Sequence, residues 1–87
     1  MVSQKATINN LTGLHIRPAG LLCETAVQFR SKISFRYKDT TGNAKSVLSV
    51  LGAGIKRGDE IELICDGIDE NEALAAMVKV IEDGLGE

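Results

Sequence analysis

Aromatic side chains are nearly absent from this chain: two Phe, one Tyr and no Trp occur among 87 residues. A base-stacking reader of single-stranded nucleic acid is therefore disfavoured, and the core must be aliphatic. Cysteine is equally sparse. Cys23 and Cys65 stand far apart with no C-x-x-C or H-x-x-x-H companions, which excludes structural zinc. The segment MVSQKATINN has neither a basic leader nor an apolar core, and no apolar run nears the ~20 residues of a membrane span. These absences point to a cytoplasmic chain with free thiols and no membrane insertion. One proline, 44% hydrophobic and 25% charged residues exclude a disordered or collagenous chain. At 9.3 kDa, one domain spanning residues 1–87 is expected.

Charge is more informative by position than in total. Residues 1–58 hold nine of the ten basic and two of the twelve acidic side chains, a balance of +7, while residues 59–87 carry −9. The first two thirds of the chain can thus be steered toward an acidic partner, unless both halves are merely solvated faces.

Periodicity divides the chain into seven elements. Val2, Ala6 and Ile8 alternate with polar residues and end at Asn9-Asn10, a strand signal. From Pro18 onward, Ala19, Leu22, Ala26 and Phe29 recur at helical steps, and a proline in the first turn costs no hydrogen bond. Ile33, Phe35 and Tyr37 alternate with Lys32, Ser34, Arg36 and Lys38, the clearest strand. Asp39 to Gly42 reads as a hairpin turn into a short third strand. Ser46 then resembles the N-cap of a short helix through Val47, Leu48, Val50 and Leu51, with Gly52 and Gly54 as the exit. Ile61, Leu63 and Cys65 form a fourth strand. Asp69 with Glu72 reads as an acidic capping box before Leu74, Met77, Val78, Ile81 and Leu85, stopped by Gly84.

The order βαββαβα, with a right-handed first crossover, places strands one and two parallel and strand four antiparallel between them. The expected class is α+β: a four-stranded antiparallel sheet covered on one face by three helices. The other face, with Lys32, Ser34, Arg36, Glu60 and Glu62, stays wet.

The sole histidine, His15, stands just before Arg17 and Pro18 at the start of the first helix. A lone histidine is commonly structural or simply exposed, but its position argues otherwise. The first turn of a helix has unpartnered N–H groups and partial positive charge, so an anion formed there is stabilised. Arg17 adds a guanidinium able to fork two hydrogen bonds to phosphate oxygens. Neutral imidazole leaves one ring nitrogen free as a nucleophile. No serine or cysteine forms a recognisable nucleophile motif with His15, and no second histidine exists for acid–base exchange. A histidine that accepts phosphate with nothing nearby to activate water is a carrier, not a hydrolase.

The stretch Gly13-Leu14-His15-Ile16-Arg17-Pro18-Ala19, followed at the proper separation by Lys45-Ser46-Val47-Leu48-Ser49-Val50-Leu51-Gly52, resembles the HPr family. These are the histidine-containing phosphocarriers of the phosphoenolpyruvate-dependent sugar phosphotransferase system. The resemblance spans essentially the whole chain, and the family's open-faced β-sandwich agrees with the arrangement above. It implies that His15 takes phosphate on Nδ1 from phosphorylated Enzyme I and passes it to the IIA component of a sugar permease, with no cofactor of its own and no metal. It further implies that Arg17 neutralises the phosphoryl group and Pro18 fixes the helix start. Gly20, Lys45, Val47, Leu48 and Leu51 would form the docking patch. Ser46 would be a regulatory site for an HPr kinase/phosphorylase, engaging a catabolite-control regulator, and the protein would be a monomer. Position 16, usually small in the family, is a bulky Ile16 here, and Glu24 adds an acid to a helix expected to be neutral or basic.

The same residues admit other readings. A nitrogen-branch phosphocarrier has the same residues. A small acylphosphatase-like hydrolase would need a water-orienting asparagine, for which Asn9 and Asn10 are candidates, and a purely regulatory binding module needs no acceptor. A regulatory relative without the histidine is excluded by His15. Gly52, Gly54 and Gly58 are a helix exit and turn rather than a dinucleotide loop, since they follow a helix. Cys23 and Cys65 read as small apolar core residues.

Overall fold

The seven elements follow from where apolar residues alternate and where they step helically, and a computed structural model describing residues 1–87 places them as β1 (Val2–Thr7), α1 (Ile16–Ala26), β2 (Lys32–Tyr37), β3 (Thr40–Asn43), α2 (Val47–Gly52), β4 (Glu60–Asp66) and α3 (Glu70–Glu82). The sheet order is β1-β4-β2-β3 with every neighbour antiparallel, so β1 and β2 run parallel on either side of β4. This is the α+β open-faced sandwich. Ile33 and Phe35 of β2 and Ile61, Leu63 and Cys65 of β4 project from one face, where they meet Leu22, Cys23 and Ala26 of α1 and Ala73, Met77 and Ile81 of α3 in one buried cluster. The opposite face is polar. Across it, Lys5, Glu62 and Arg36 stand in register, and Arg36 reaches Glu62 at 3.5 Å.

Three local expectations are corrected. The hairpin turns at Lys38-Asp39 rather than at Asp39 to Gly42, since Tyr37 already pairs with Thr40. Lys38 takes the positive φ, 54°, while Gly42 lies within β3 opposite Phe35, where a Cβ would run into the Phe35 ring. The glycine makes room for the one large core aromatic instead of bending the chain.

The capping box before α3 does not form. Asp69 is the N-cap residue, but its carboxylate makes no cap bond. It accepts instead from the N–H groups of Arg30 and Ser31, both at 2.9 Å, and from the Ser31 hydroxyl at 2.5 Å. Ser31 is 1% exposed, and its polar groups would be left stranded without that partner. Glu70 Oε1 takes the Gly67 N–H at 3.2 Å.

The first helix begins at Ile16, two residues before Pro18. Pro18 at the third helical position still sacrifices nothing, because the first N–H to find an intrahelical carbonyl is that of Ala19, donating to His15 O at 2.8 Å. Ser46 does cap α2, its Oγ accepting from Ser49 N at 3.2 Å. Cys23 and Cys65 are buried free thiols, and burial pushes both up from the ordinary thiol range.

Candidate functional site

The loop from Asn10 to Leu14 brings His15 to the mouth of α1, and several contacts fix its course. Gly13 N donates to Asn10 O at 3.2 Å, and Asn10 Nδ2 returns to Gly13 O at 2.7 Å, closing a tight turn. Gly13 has φ +67°, and a Cβ there would stand 2.9 Å from Arg57 N and Lys56 Cα. Only glycine allows both that backbone conformation and that approach. Leu14, buried, donates its N–H to Ile55 O at 3.1 Å, so the loop before α1 is stitched to the loop after α2.

Glu87 holds the same turn from the far end of the sequence. Its Oε1 accepts from Asn10 Nδ2 at 2.9 Å and from Thr12 N at 3.1 Å, and its Oε2 accepts from Thr12 Oγ1 at 2.7 Å. These bonds, the Thr12 hydroxyl foremost and then Asn10, hold the Glu87 carboxyl below the usual glutamate range, with the nearby charge of His15 adding a last, smaller pull.

The second loop is braced in turn. Asp59 Oδ2 accepts from Tyr37 Oη at 2.7 Å and from Lys56 N at 2.8 Å, and the Tyr37 hydroxyl is the first cause of a lowered Asp59 pKa. Ile8 N donates to Asp59 O at 2.8 Å, tying that loop to the end of β1.

His15 emerges from this frame as the N-cap residue of α1, with extended backbone (φ −73°, ψ −178°) and no hydrogen bond from its ring to the helix. It is exposed. The N–H groups of Ile16 and Arg17 have no protein partner, and the exposed Arg17 side chain forms no ion pair. A shallow cleft of about 330 Å³ lies alongside, lined by Leu14, His15, Ile16, Leu51, Gly54, Ile55 and Lys56. The site therefore combines a solvent-facing ring nitrogen, two free backbone donors at the positive end of a helix, and a guanidinium two residues on. Such a group can attack a phosphorus atom and hold the resulting anion.

The other residues singled out from the sequence are distributed around this point. Gly20 is half-buried on α1 with open space around it. Leu51 is half-buried and reaches the His15 cleft, whereas Leu48 is 83% and Ile16 74% exposed, and Val47 is exposed at the start of α2. Lys45 does not point freely into solvent: its ammonium donates to Phe29 O at 2.6 Å, beyond the far end of α1. Ser46 sits at that same far end, separated from the His15 cleft by the length of α2, about 9 Å of helix.

Asn10, a candidate for orienting water, is buried, and its amide hydrogens are committed to Gly13 and Glu87. No group of three or more His, Cys, Asp or Glu side chains could hold a metal ion, and no helix is long and apolar enough to cross a membrane. Sequence reasoning missed Thr12, Glu87 and Lys56. The Thr12–Glu87 contact spans 75 residues and leaves no local pattern.

A family model described as the PTS HPr component phosphorylation site matches residues 2–83. Among solved structures, HPr-C-His from Thermoanaerobacter tengcongensis is 39% identical, with 100% of this chain and 98% of that one covered and a TM-score of 0.97. The histidine-containing phosphocarrier protein from Mycoplasma is 35% identical, with 97% of each chain covered and a TM-score of 0.89. The Bacillus subtilis catabolite repression protein Crh, a dimer with a swapped domain, is 33% identical, with 97% of each chain covered and a TM-score of 0.77. With the sheet order, the exposed histidine at the mouth of α1 and these matches in agreement over nearly every residue, the chain belongs to the HPr family of phosphotransferase-system phosphocarriers.

Proposed function

We propose that His15 accepts a phosphoryl group on Nδ1 from phosphorylated Enzyme I and hands it to the IIA component of a sugar permease. The observation that carries this reading is the exposed imidazole of His15 beside the unpartnered N–H groups of Ile16 and Arg17. In the forward step the ring nitrogen forms an N–P bond as the donor's bond to phosphorus breaks, and the other ring nitrogen keeps its proton. The added anion lies where the Ile16 and Arg17 amides and the Arg17 guanidinium receive it. The IIA step is the same exchange in reverse. The polar groups near His15 that could orient water are committed elsewhere, Asn10 to Gly13 and Glu87 and the Glu87 carboxylate to Asn10 and Thr12, so the phosphoryl group waits for a protein acceptor, and the protein is a substrate of its partners rather than a catalyst. We place this exchange in the cytoplasm, with the protein acting as a monomer, since one copy buries its own core.

Incubation with phosphoenolpyruvate and Enzyme I tests the reading. The expected product is an acid-labile, base-stable phosphate absent from His15→Ala. Release of inorganic phosphate from acyl phosphates would instead indicate a hydrolase, and no modification would indicate a regulatory binding module, the reading that the similarity to Crh favours.

Ser46 is the proposed regulatory site, phosphorylated by an HPr kinase/phosphorylase and then recognised by a catabolite-control regulator. Its hydroxyl is the cap of a six-residue helix, so a phosphate there is compatible with the fold. The length of α2 keeps it from touching His15. It acts by adding about −1.5 to −2 charge to the surface on which Enzyme I docks.

A further inference from the structure

The cations around His15 are unevenly placed. On α1 the only basic residue is Arg17, Glu24 adds an acid, and α2 carries no charge at all. Lys45 is occupied by Phe29 O. In the loop after α2 stand Lys56 and Arg57, adjacent, exposed and without any side-chain hydrogen bond or ion pair. Lys56 lines the same cleft as His15, and the Arg57 backbone packs against Gly13. Two acids face this rim, and both are engaged: Asp59 by Tyr37 Oη and Lys56 N, and Glu87 by Asn10 and Thr12. On the two helices, Ile16 at the start of α1 and Val47 and Leu48 at the start of α2 supply exposed apolar surface, with no cation besides Arg17.

We propose that Lys56 and Arg57 are the cationic arm of the docking surface, and that the phosphorylated donor protein presents to them an acidic patch, beside apolar surface that meets Ile16, Val47 and Leu48. The proposal rests on the carrier reading of His15 and assigns to it the orientation of the partner. Opposite charge on the two surfaces speeds encounter and fixes which way round the partner lands, an effect that salt weakens.

The test compares Lys56→Glu/Arg57→Glu with Lys5→Glu/Arg30→Glu, a control with the same change in net charge at positions away from the cleft. The rate of His15 phosphorylation by Enzyme I is measured from low to high salt. The first variant is expected to lose about tenfold or more in kcat/KM at low salt and to show a flatter salt dependence, with the control within about twofold of the parent. Equal slowing of both variants, or a first variant with unchanged rate and salt slope, overturns the proposal. Lys56→Gln/Arg57→Gln, which removes charge without adding repulsion, is expected to show a smaller loss in the same direction and provides the decision if the charge reversals impair folding. Failure of the parent protein to be phosphorylated on His15 would refute the carrier reading instead.

Discussion

Thr12 and Glu87 hold each other by two hydrogen bonds, Thr12 N to Oε1 at 3.1 Å and Thr12 Oγ1 to Oε2 at 2.7 Å, across 75 residues of sequence. The turn that delivers His15 is thereby held by Glu87 as well as by the bonds between its own residues Asn10 and Gly13. Glu87→Ala is expected to speed amide hydrogen exchange at Thr12 and Gly13 and to slow His15 phosphorylation several-fold, with exchange in β2 and β4 unchanged. Equal protection at Thr12 in parent and variant would show the anchor to be idle.

Gly13 and Gly20 make opposite predictions. Gly13→Ala forces a Cβ to within 2.9 Å of the Lys56–Arg57 backbone at a φ of +67°. It is expected to destabilise by about 2–3 kcal/mol, read as a lower urea midpoint, and to slow transfer by displacing the loop before His15. Gly20→Ala meets nothing within 4 Å and lies inside α1. It is expected to stabilise by ~0.5–1 kcal/mol through helix propensity, and a lower rate of phosphorylation despite that gain would place Gly20 in the docking patch.

Acid stability depends on Asp69. The Ser31 hydroxyl and then the Arg30 N–H hold its pKa down to about 2. A carboxylate depressed in the folded state contributes stability that is complete above its unfolded pKa, near 3.9, and disappears as pH falls through the folded value. The parent's stability against thermal unfolding is therefore expected to fall as pH drops from about 4 to about 2. Asp69→Asn should be less stable than the parent at pH 7 and show a shallower loss over that acid window. A parallel pH profile in the two proteins would contradict the assignment.

Ser46 separates capping from charge. Ser46→Ala removes the acceptor of the Ser49 N–H and is expected to cost about 1 kcal/mol with little change in phosphorylation rate. Ser46→Asp retains a competent N-cap and adds an anion, so the fold should hold while the Enzyme I reaction slows. Unchanged kinetics in Ser46→Asp would remove the electrostatic basis for regulation.

Local chemistry explains why some features were legible in the sequence. The alternation of Ile33, Phe35 and Tyr37 with polar residues, the α3 stripe and the Ser46 cap each depend on neighbours within a few positions, and each appears where expected. The sheet order followed from the handedness of one crossover. Asp69 was misread because its sequence neighbours suggested a cap, while the buried Ser31, 38 residues away, presented stronger donors. Gly42 was misread because a glycine beside a turn usually serves the turn, and here it accommodates Phe35. Of the site, His15, Arg17 and the helix start were visible in one short motif. The anchoring of that motif by Ile55, Lys56 and Glu87 was not, because those contacts join loops from three parts of the chain.

The central claim is that the exposed ring of His15 is the phosphoryl acceptor. Phosphorus NMR of the protein after incubation with phosphoenolpyruvate and Enzyme I tests it most directly. The account predicts a single Nδ1-phosphohistidine resonance that disappears in His15→Ala and collapses when a IIA domain is added. A phosphate on any other residue, or none at all with an active Enzyme I, would contradict it.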